Sequence, residues 1–452
     1  MRIKRRDRKS ITQNLACWGG IFLAILFVPI AKVLPRWSTW WRGGNAEEVF
    51  HRSRIRERAT APLPLCPDGQ RGPSPATIES LWSQRQTDGA AAYVHRRVLV
   101  YRESAGSTAG WGNRLLGIAS AFVVAAVSQR TLFIDVPGFG QVLNYTNDLR
   151  RWDAVVTPKP LTLRWRLVED DHIITRLSGR MRRQYERLAS AAPETWFRRT
   201  DGSDAAIAVW ESNQWLVPLL YLNPHLRETL CARLGSRPFH VVANRLFQPA
   251  PAVQQVMARF CHRTGLLCQA DDPSNTSKSV IGVHVRAHAS APRWRPHRVR
   301  GRRLDALWKC ARLAQAHRSK SCAFFVSSDS PSVLRAAGAI LSDSHVARVV
   351  PALDANASAV APEHLNDILA VADMMLLARC EPLVLSAGST FGMCAAGLSR
   401  SSSWPFTITR MDGCVRVPQR EPCQHHFYRM WSHAHASRIA EMVNHAHFGC
   451  LV

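Results

Sequence analysis

Three short stretches carry residues whose types and spacing could handle an anion. Gly110-Trp111-Gly112-Asn113-Arg114 opens an apolar run, His284-Val285-Arg286 closes another, and Ser389-Thr390-Phe391-Gly392 follows the apolar run PLVL. Arg286 offers a rigid guanidinium fork that matches a pair of phosphate oxygens better than a lysine would. Ser389 and Thr390 stand where they would cap a helix, leaving backbone N-H groups and a positive dipole end for a phosphate. An ordinary Ser/Thr cap explains that stretch alone; an arginine at a second strand end makes the anion reading stronger. Together these residues predict a diphosphate held by protein charge.

Two familiar phosphate loops fail on the first stretch. A P-loop needs Lys and then Ser or Thr after its last glycine, and here Asn113 and Arg114 follow Gly112. A dinucleotide fingerprint gains an acid at Asp135, about twenty residues on, but loses its third glycine to Leu115. Glycines alone are explained by a tight strand-to-helix turn. They leave the arginine unexplained.

Carboxylates are fewer. Asp329 ends CAFFVSSD, where a lone acid reads as a cap for the helix SPSVLRAA. Glu211 and Asn213 lie in WESNQW, where a surface acid is the plain reading of Glu211. His425, His426, His433, His435, His445 and His447 crowd the C-terminal region with no Cys-x-x-Cys pair and Glu441 as the single acid among them, so packed or solvated histidines are favoured over a metal site.

The elements that position these residues follow from apolar patterning. RVLVY and TLFID read as strands flanking the helix that begins at Gly110. After DDPSNTSK the pattern restarts: VIGVHV, CAFFVSS, ARVVPAL and PLVL read as strands, separated by the helices LDALWKCARLAQAH, SVLRAAGAIL and HLNDILAVADMMLLARC. Strands alternating with helices predict parallel sheets, and two such regions predict an α/β protein with two Rossmann-like domains facing a cleft. The expected boundaries are 93–271 for the first domain and 279–452 for the second.

The N-terminus predicts a compartment. MRIKRRDRK precedes an uncharged, mostly apolar stretch, so residues 1–14 read as a cytoplasmic tail and 15–34 as a retained signal-anchor transmembrane helix. A cleaved signal peptide is the alternative. Residues 35–92, rich in charge, Pro and small residues, read as a stem. Twelve cysteines and sequons at Asn144, Asn275 and Asn356 fit a lumenal, disulfide-forming domain. The formal net charge of +26 draws the chain to polyanions in general. Nucleic acid is disfavoured by the lumenal address, and a homodimer is compatible with the sequence.

In order along the chain, GWGNRLLGIASAFVVAAVSQRTLFID, NQWLVPLLYLNPHLRETL, NRLFQPAPAVQQV, IGVHVR, EHLNDILAVADMMLLARCEPLVLSAGSTFGMCAAGL and REPCQH resemble the plant xyloglucan fucosyltransferase family, covering about Arg97 to His425. The resemblance implies a GT-B-like fold, GDP-fucose as donor, no metal cofactor, and inverting transfer to the 2-hydroxyl of a galactose in Golgi-made glycans. The chain has no Asp-x-Asp, the usual metal-holding device of metal-dependent glycosyltransferases. By the same resemblance, Arg286 contacts the β-phosphate and Ser389, Thr390, Phe391 and Gly392 form the nucleotide pocket. Gly112, Asn113 and Arg114 face the cleft from the opposing domain. Cys414 and Cys423 match cysteines of the family's C-terminal block, with partners unassigned.

Departures from the family pattern lie at His284, where plant members commonly have Gln, and at Asn213, where they place Asp; Glu211, two residues before that position and just ahead of the family-like VPLL segment, is by this resemblance the candidate to take a proton from the acceptor hydroxyl. His-x-Arg is the form found in related α1,2- and α1,6-fucosyltransferases, and SSD ending at Asp329 resembles the strand-end Asp of that wider group, which implies a contact to the guanine or ribose as an equal alternative to the helix cap. These differences leave open the acceptor, the general base, and a related enzyme using another GDP-sugar. They also leave open a lumenal carbohydrate-binding protein without activity.

Overall fold

The computed structural model describes Cys66 and residues 97–103, 110–146, 149–152, 162–167, 179–266, 279–287, 299, 301–316, 322–341, 346–347, 362–400, 405–408, 413–416 and 421–422. The expected cytoplasmic tail, anchor helix, interdomain linker and C-terminal histidines lie outside the described residues, as does the stem apart from Cys66. Among the described residues no helix is long and apolar enough to cross a membrane.

The first sheet has five parallel strands. Chain order gives β1 (Val98–Arg102), β2 (Thr131–Asp135), β3 (Arg150–Arg151), β4 (Thr162–Leu167) and β5 (Ile207–Ser212), and the order in space is β3-β2-β1-β5-β4. β1 is central because Val98, Leu99, Val100 and Tyr101 are buried on both faces, as a parallel strand covered on two sides requires. The chain steps from β1 outward to β2 and β3, then returns on the other side to β4 and β5. Its topological switch point is therefore the crevice between the C-terminal ends of β1 and β5.

Helix α1 (Trp111–Val127) connects β1 to β2 and is buried nearly all round. Gly117 makes this possible: a β-carbon there would stand 2.0 Å from the Ser212 carbonyl oxygen and 2.7 Å from the Tyr101 hydroxyl. No side chain fits where the helix presses on β1 and β5 together. Short helices follow: α2 (Phe139–Val142), α3 (Gly179–Ser190), α4 (Val217–Leu222), α5 (Arg227–Leu234), α6 (Pro238–Leu246) and α7 (Pro251–Thr264). Phe260 of α7 packs edge-on against Phe325 of the second sheet at 5.4 Å between ring centroids.

The second sheet has six strands: β6 (Ser279–Val285), β7 (Cys322–Ser328), β8 (Val346–Ala347), β9 (Leu383–Leu385), β10 (Phe406–Ile408) and β11 (Cys414–Arg416), ordered β11-β10-β9-β6-β7-β8. All pairs are parallel except β10 with β11. Helices α8 (Arg302–Ala316), α9 (Pro331–Ile340), α10 (Pro362–Leu377) and α11 (Thr390–Leu398) connect them. Here the chain steps from β6 to β7 and β8, then crosses back to β9. The second switch point is the crevice between the ends of β6 and β9.

Disulfides tie chain that the sheets leave loose. Cys66 bonds Cys231 in α5, and Cys310 in α8 bonds Cys414 in the antiparallel edge strand β11. Cys414 thus has Cys310 as its partner; Cys423 lies outside the described residues. Cys261 is also disulfide-bonded, whereas Cys322, Cys380 and Cys394 are buried thiols.

Candidate active site

The β6–β9 ladder pairs Gly282 with Leu383, Val283 with Val384 and His284 with Leu385, and then the strands part. Ser386, buried at the next position, donates its backbone N-H to the His284 carbonyl at 3.0 Å. Its hydroxyl oxygen lies 3.0 Å from the same carbonyl, to which it donates, and accepts the Arg286 N-H at 2.8 Å. Beyond that point Arg286 turns outward with its side chain about half exposed, at 48%.

The Arg286 guanidinium meets a carboxylate from the neighbouring strand. Its Nη1 is 2.9 Å from Asp329 Oδ2, and Asp329 Oδ1 accepts the Ala287 N-H at 2.8 Å. Asp329 therefore clips the ends of β7 and β6 together. The cap position of α9 belongs to Ser330, so the helix-cap role open in the sequence is not the one Asp329 takes.

Ser389 occupies the N-cap position of α11 in extended conformation, but its side chain makes no capping hydrogen bond. The sequence expectation of a side-chain cap is corrected here, and the first amide groups of α11 keep their donors directed out of the helix. The Phe391 ring stacks on the His284 imidazole, 5.0 Å between centroids at 23°. His284 is 4% exposed, and its Nδ1 has no hydrogen-bond partner among the described residues. Gly392 backs onto that atom, with a β-carbon there falling 3.1 Å from Nδ1. Burial, seconded by the Arg286 charge, pushes the His284 pKa down to about 3, so the ring is neutral.

The other half meets this crevice at Gly112. A β-carbon on Gly112 would lie 2.6 Å from the Phe391 backbone nitrogen and 2.8 Å from the Thr390 carbonyl carbon. The Cys394 thiol in α11 donates to the Gly112 carbonyl at 3.4 Å. Two helix N-termini, of α1 and α11, are thus packed backbone to backbone. Gly110, the N-cap of α1, also lacks a side-chain cap.

Asn113 is half-buried in the first turn of α1. Arg114 spans the two halves: its Nε is 3.1 Å from Glu103 Oε1, just past β1, and its Nη1 is 3.7 Å from Asp367 Oδ1 on α10. The guanidinium also lies over the Trp111 ring at 5.0 Å. Asp135, the acid that a dinucleotide loop would use, is taken by Arg102 at 2.6 Å.

At the end of β5, Asn213 accepts a 2.7 Å hydrogen bond from the Gln214 side chain through its Oδ1. Ser120 of α1 pins this turn, its hydroxyl oxygen lying 2.8 Å from the Gln214 carbonyl and accepting the Leu216 N-H at 2.8 Å. Glu211 is 0% exposed. Strand alternation puts it on the face of Ile207 and Val209, away from α1 and one residue inside the crevice rim.

The structure thus gathers His284, Arg286, Asp329, Ser389, Thr390, Phe391, Gly392 and Gly112 at one crevice, with Asn113 and Arg114 beside it and Asn213 at the other strand end. Sequence reasoning missed Ser386, Glu103 and Asp367. Ser386 is the first residue of SAGSTFG and is visible only as part of a turn; Glu103 lies two residues past RVLVY, directly after the end of β1, a position where an acid faces the sheet's C-terminal edge. Among the described residues no group of three His, Cys, Asp or Glu could hold a metal ion.

No family model matches the chain. It is 23% identical over 376 residues to an Arabidopsis thaliana protein described as probable fucosyltransferase 7, over 70% of this chain and 65% of that one. Among solved structures, a point mutant of Arabidopsis thaliana FUT1 in complex with GDP superposes with a TM-score of 0.52 at 18% identity, over 84% of each chain. The chain resembles the plant fucosyltransferases. Its two α/β sheets, parallel but for the edge strand β11, have the GT-B-like arrangement of that structure. A looser likeness, TM-score 0.45 at 18% identity over 71% of this chain and 99% of the other, is to the fucosyltransferase NodZ from Bradyrhizobium. The chain spans 65% of the length of the curated relative it matches.

Proposed function

We propose that the protein is a glycosyltransferase that moves L-fucose from GDP-fucose to a hydroxyl of a galactose-containing glycan. The observation that carries this reading is the crevice between β6 and β9, where Arg286 and the uncapped N-terminus of α11 meet the N-terminus of α1 from the other half. Such a place suits a nucleoside diphosphate, because a fixed guanidinium and oriented amides stabilise the charge that develops on the leaving phosphate. The similar FUT1 structure was solved with GDP.

In this reading Arg286 holds the β-phosphate of the departing GDP, and Ser389, Thr390, Phe391 and Gly392 line the nucleotide side. Asp329 fixes the Arg286 fork, and neutral His284 packs under Phe391 without adding charge. Asn113, Arg114 and Asn213 line the acceptor side. Glu211 takes the acceptor proton as the fucose anomeric carbon is attacked in line with the leaving group, which inverts that centre. No metal ion takes part, since protein groups supply the positive charge.

The finer assignment is the galactose 2-hydroxyl of a cell-wall polysaccharide, xyloglucan included, or of a glycoprotein glycan. The disulfides and the N-terminal apolar stretch support a single-pass type II Golgi protein with its catalytic part in the lumen. The domain boundaries proposed are those of the sequence reading, 93–271 and 279–452. The full chain, offered GDP-fucose, GDP-mannose and other GDP-sugars with a panel of β-galactosides, is expected to transfer fucose alone. Preferred transfer of another sugar would keep the nucleotide site and overturn the donor.

A further inference from the structure

Where β6 and β9 separate, the Arg286 N-H loses its ladder partner, while the His284 carbonyl keeps the Ser386 backbone N-H at 3.0 Å. Had the ladder continued, the Arg286 N-H would bond the β9 backbone, and the strands would stay zipped across the place a ligand must enter. Ser386 supplies that bond from a side chain instead: its hydroxyl accepts the Arg286 N-H at 2.8 Å and donates to the His284 carbonyl at 3.0 Å, beside the backbone bond that carbonyl already has. The strands can part while the buried backbone groups remain satisfied.

Arg286 is then fixed from several sides. Its N-H is held by Ser386, its carbonyl accepts the Val299 N-H at 3.0 Å, and its guanidinium is held by Asp329 at 2.9 Å. Ser386 belongs also to the loop that leads into α11, its carbonyl accepting the Ser389 N-H at 3.3 Å. One buried hydroxyl therefore joins the two elements that face the proposed diphosphate.

We propose that Ser386 is a positioning residue that sets Arg286 and the α11 N-terminus at one spacing for the diphosphate of the donor. This rests on the nucleotide-binding reading above. Removing the hydroxyl leaves the Arg286 N-H without its acceptor and the strand end held only through the Val299 bond and Asp329, so the fork samples positions in which it misses the phosphate oxygens, and donor binding weakens while the acceptor side is untouched.

The test is a double-mutant cycle on GDP affinity in the full chain, using Ser386→Ala, Arg286→Ala and the pair. Ser386→Ala is expected to weaken GDP binding about tenfold with the KM for acceptor unchanged, and to have no further effect once Arg286 is Ala. Ser386→Thr, which restores the hydroxyl, is expected to recover most of the affinity. If Ser386→Ala does not fold, as judged by its thermal unfolding, Ser386→Cys takes its place in the cycle with the same reading. Unchanged GDP affinity in Ser386→Ala, or effects of the two substitutions that simply multiply, would overturn the positioning role alone. A wild-type chain that binds no GDP would overturn both this role and the proposed function.

Discussion

Gly112 and Phe391 touch backbone to backbone, so closely that a β-carbon on Gly112 would stand 2.6 Å from the Phe391 nitrogen. The glycine therefore sets how near the two helix N-termini come, and with it the width of the crevice. Gly110 is different: a β-carbon there meets nothing within 4 Å.

Gly112→Ala must push α1 and α11 apart, because the obstacle is backbone and cannot rotate away. We expect it to lower both the melting temperature and transfer activity, the latter by at least tenfold, whereas Gly110→Ala stays close to wild type in both. Differential scanning fluorimetry and a transfer assay on the two variants check this; equal behaviour would remove the contact as a determinant of the crevice.

Arg286→Lys replaces a fork with a point charge, which cannot bridge Asp329 and a phosphate oxygen pair in the same way. Loss of one preorganised donor typically costs about 3 to 4 kcal/mol in the transition state, on the order of a hundred- to thousandfold in rate. Steady-state kinetics should show that loss in kcat with the protein still folded. Turnover near wild type would take Arg286 out of the site.

Much of this was readable beforehand. RVLVY, VIGVHV and CAFFVSS are apolar runs between turn signals, and each is a strand because both faces of a parallel sheet are covered there, whereas TLFID alternates, burying Leu132 and Ile134 on one face. Strand β5 escaped notice since IAVWES ends in polar residues, and β10 and β11 are three-residue pieces held at an edge partly by the Cys310–Cys414 bond. The glycine loop showed its turn but not its purpose: Gly112 serves a contact with a residue far along the chain. Ser386 carries no signal of its own, because a serine after a strand acquires its role only when a second strand diverges from it.

Glu211→Gln tests the proton acceptor. General-base assistance is worth about 10² to 10⁴ in rate, so kcat should fall at least a hundredfold while GDP affinity is spared. A fall of less than tenfold would show that the acceptor proton leaves to solvent.

Two desolvated groups, half-buried Glu421 and buried His284, give stability opposite pH dependences. Glu421 accepts N-H bonds from Phe239 at 2.7 Å and His240 at 3.3 Å, with Arg237 and Tyr221 also near; burial outweighs these bonds and pushes its pKa up from 4.5 to about 7. The folded chain thus holds a proton there that the unfolded chain has released, so this group favours folding below about 7 and the advantage fades as pH rises from 4.5. His284, pushed down from 6.5 to about 3, does the reverse: the unfolded chain takes up a proton below 6.5 and stability falls with pH. Between these limits the two oppose each other. In thermal melts from pH 5 to 8, Glu421→Gln should become less stable than wild type toward acid pH, relative to its own value at pH 8. His284→Gln should lose stability as pH rises instead. Parallel curves for all three proteins would rule out both burial effects.

The central claim is that this crevice transfers fucose from GDP-fucose with protein charge alone. The most direct measurement is incorporation of radiolabelled fucose from GDP-fucose into a β-galactoside by the full chain, in EDTA, with GDP release followed in parallel. The account predicts fucosylated acceptor and stoichiometric GDP, undiminished by the chelator and largely lost in Arg286→Lys. Neither product nor GDP binding in the folded wild-type chain, or transfer abolished by EDTA and restored by manganese, would contradict it.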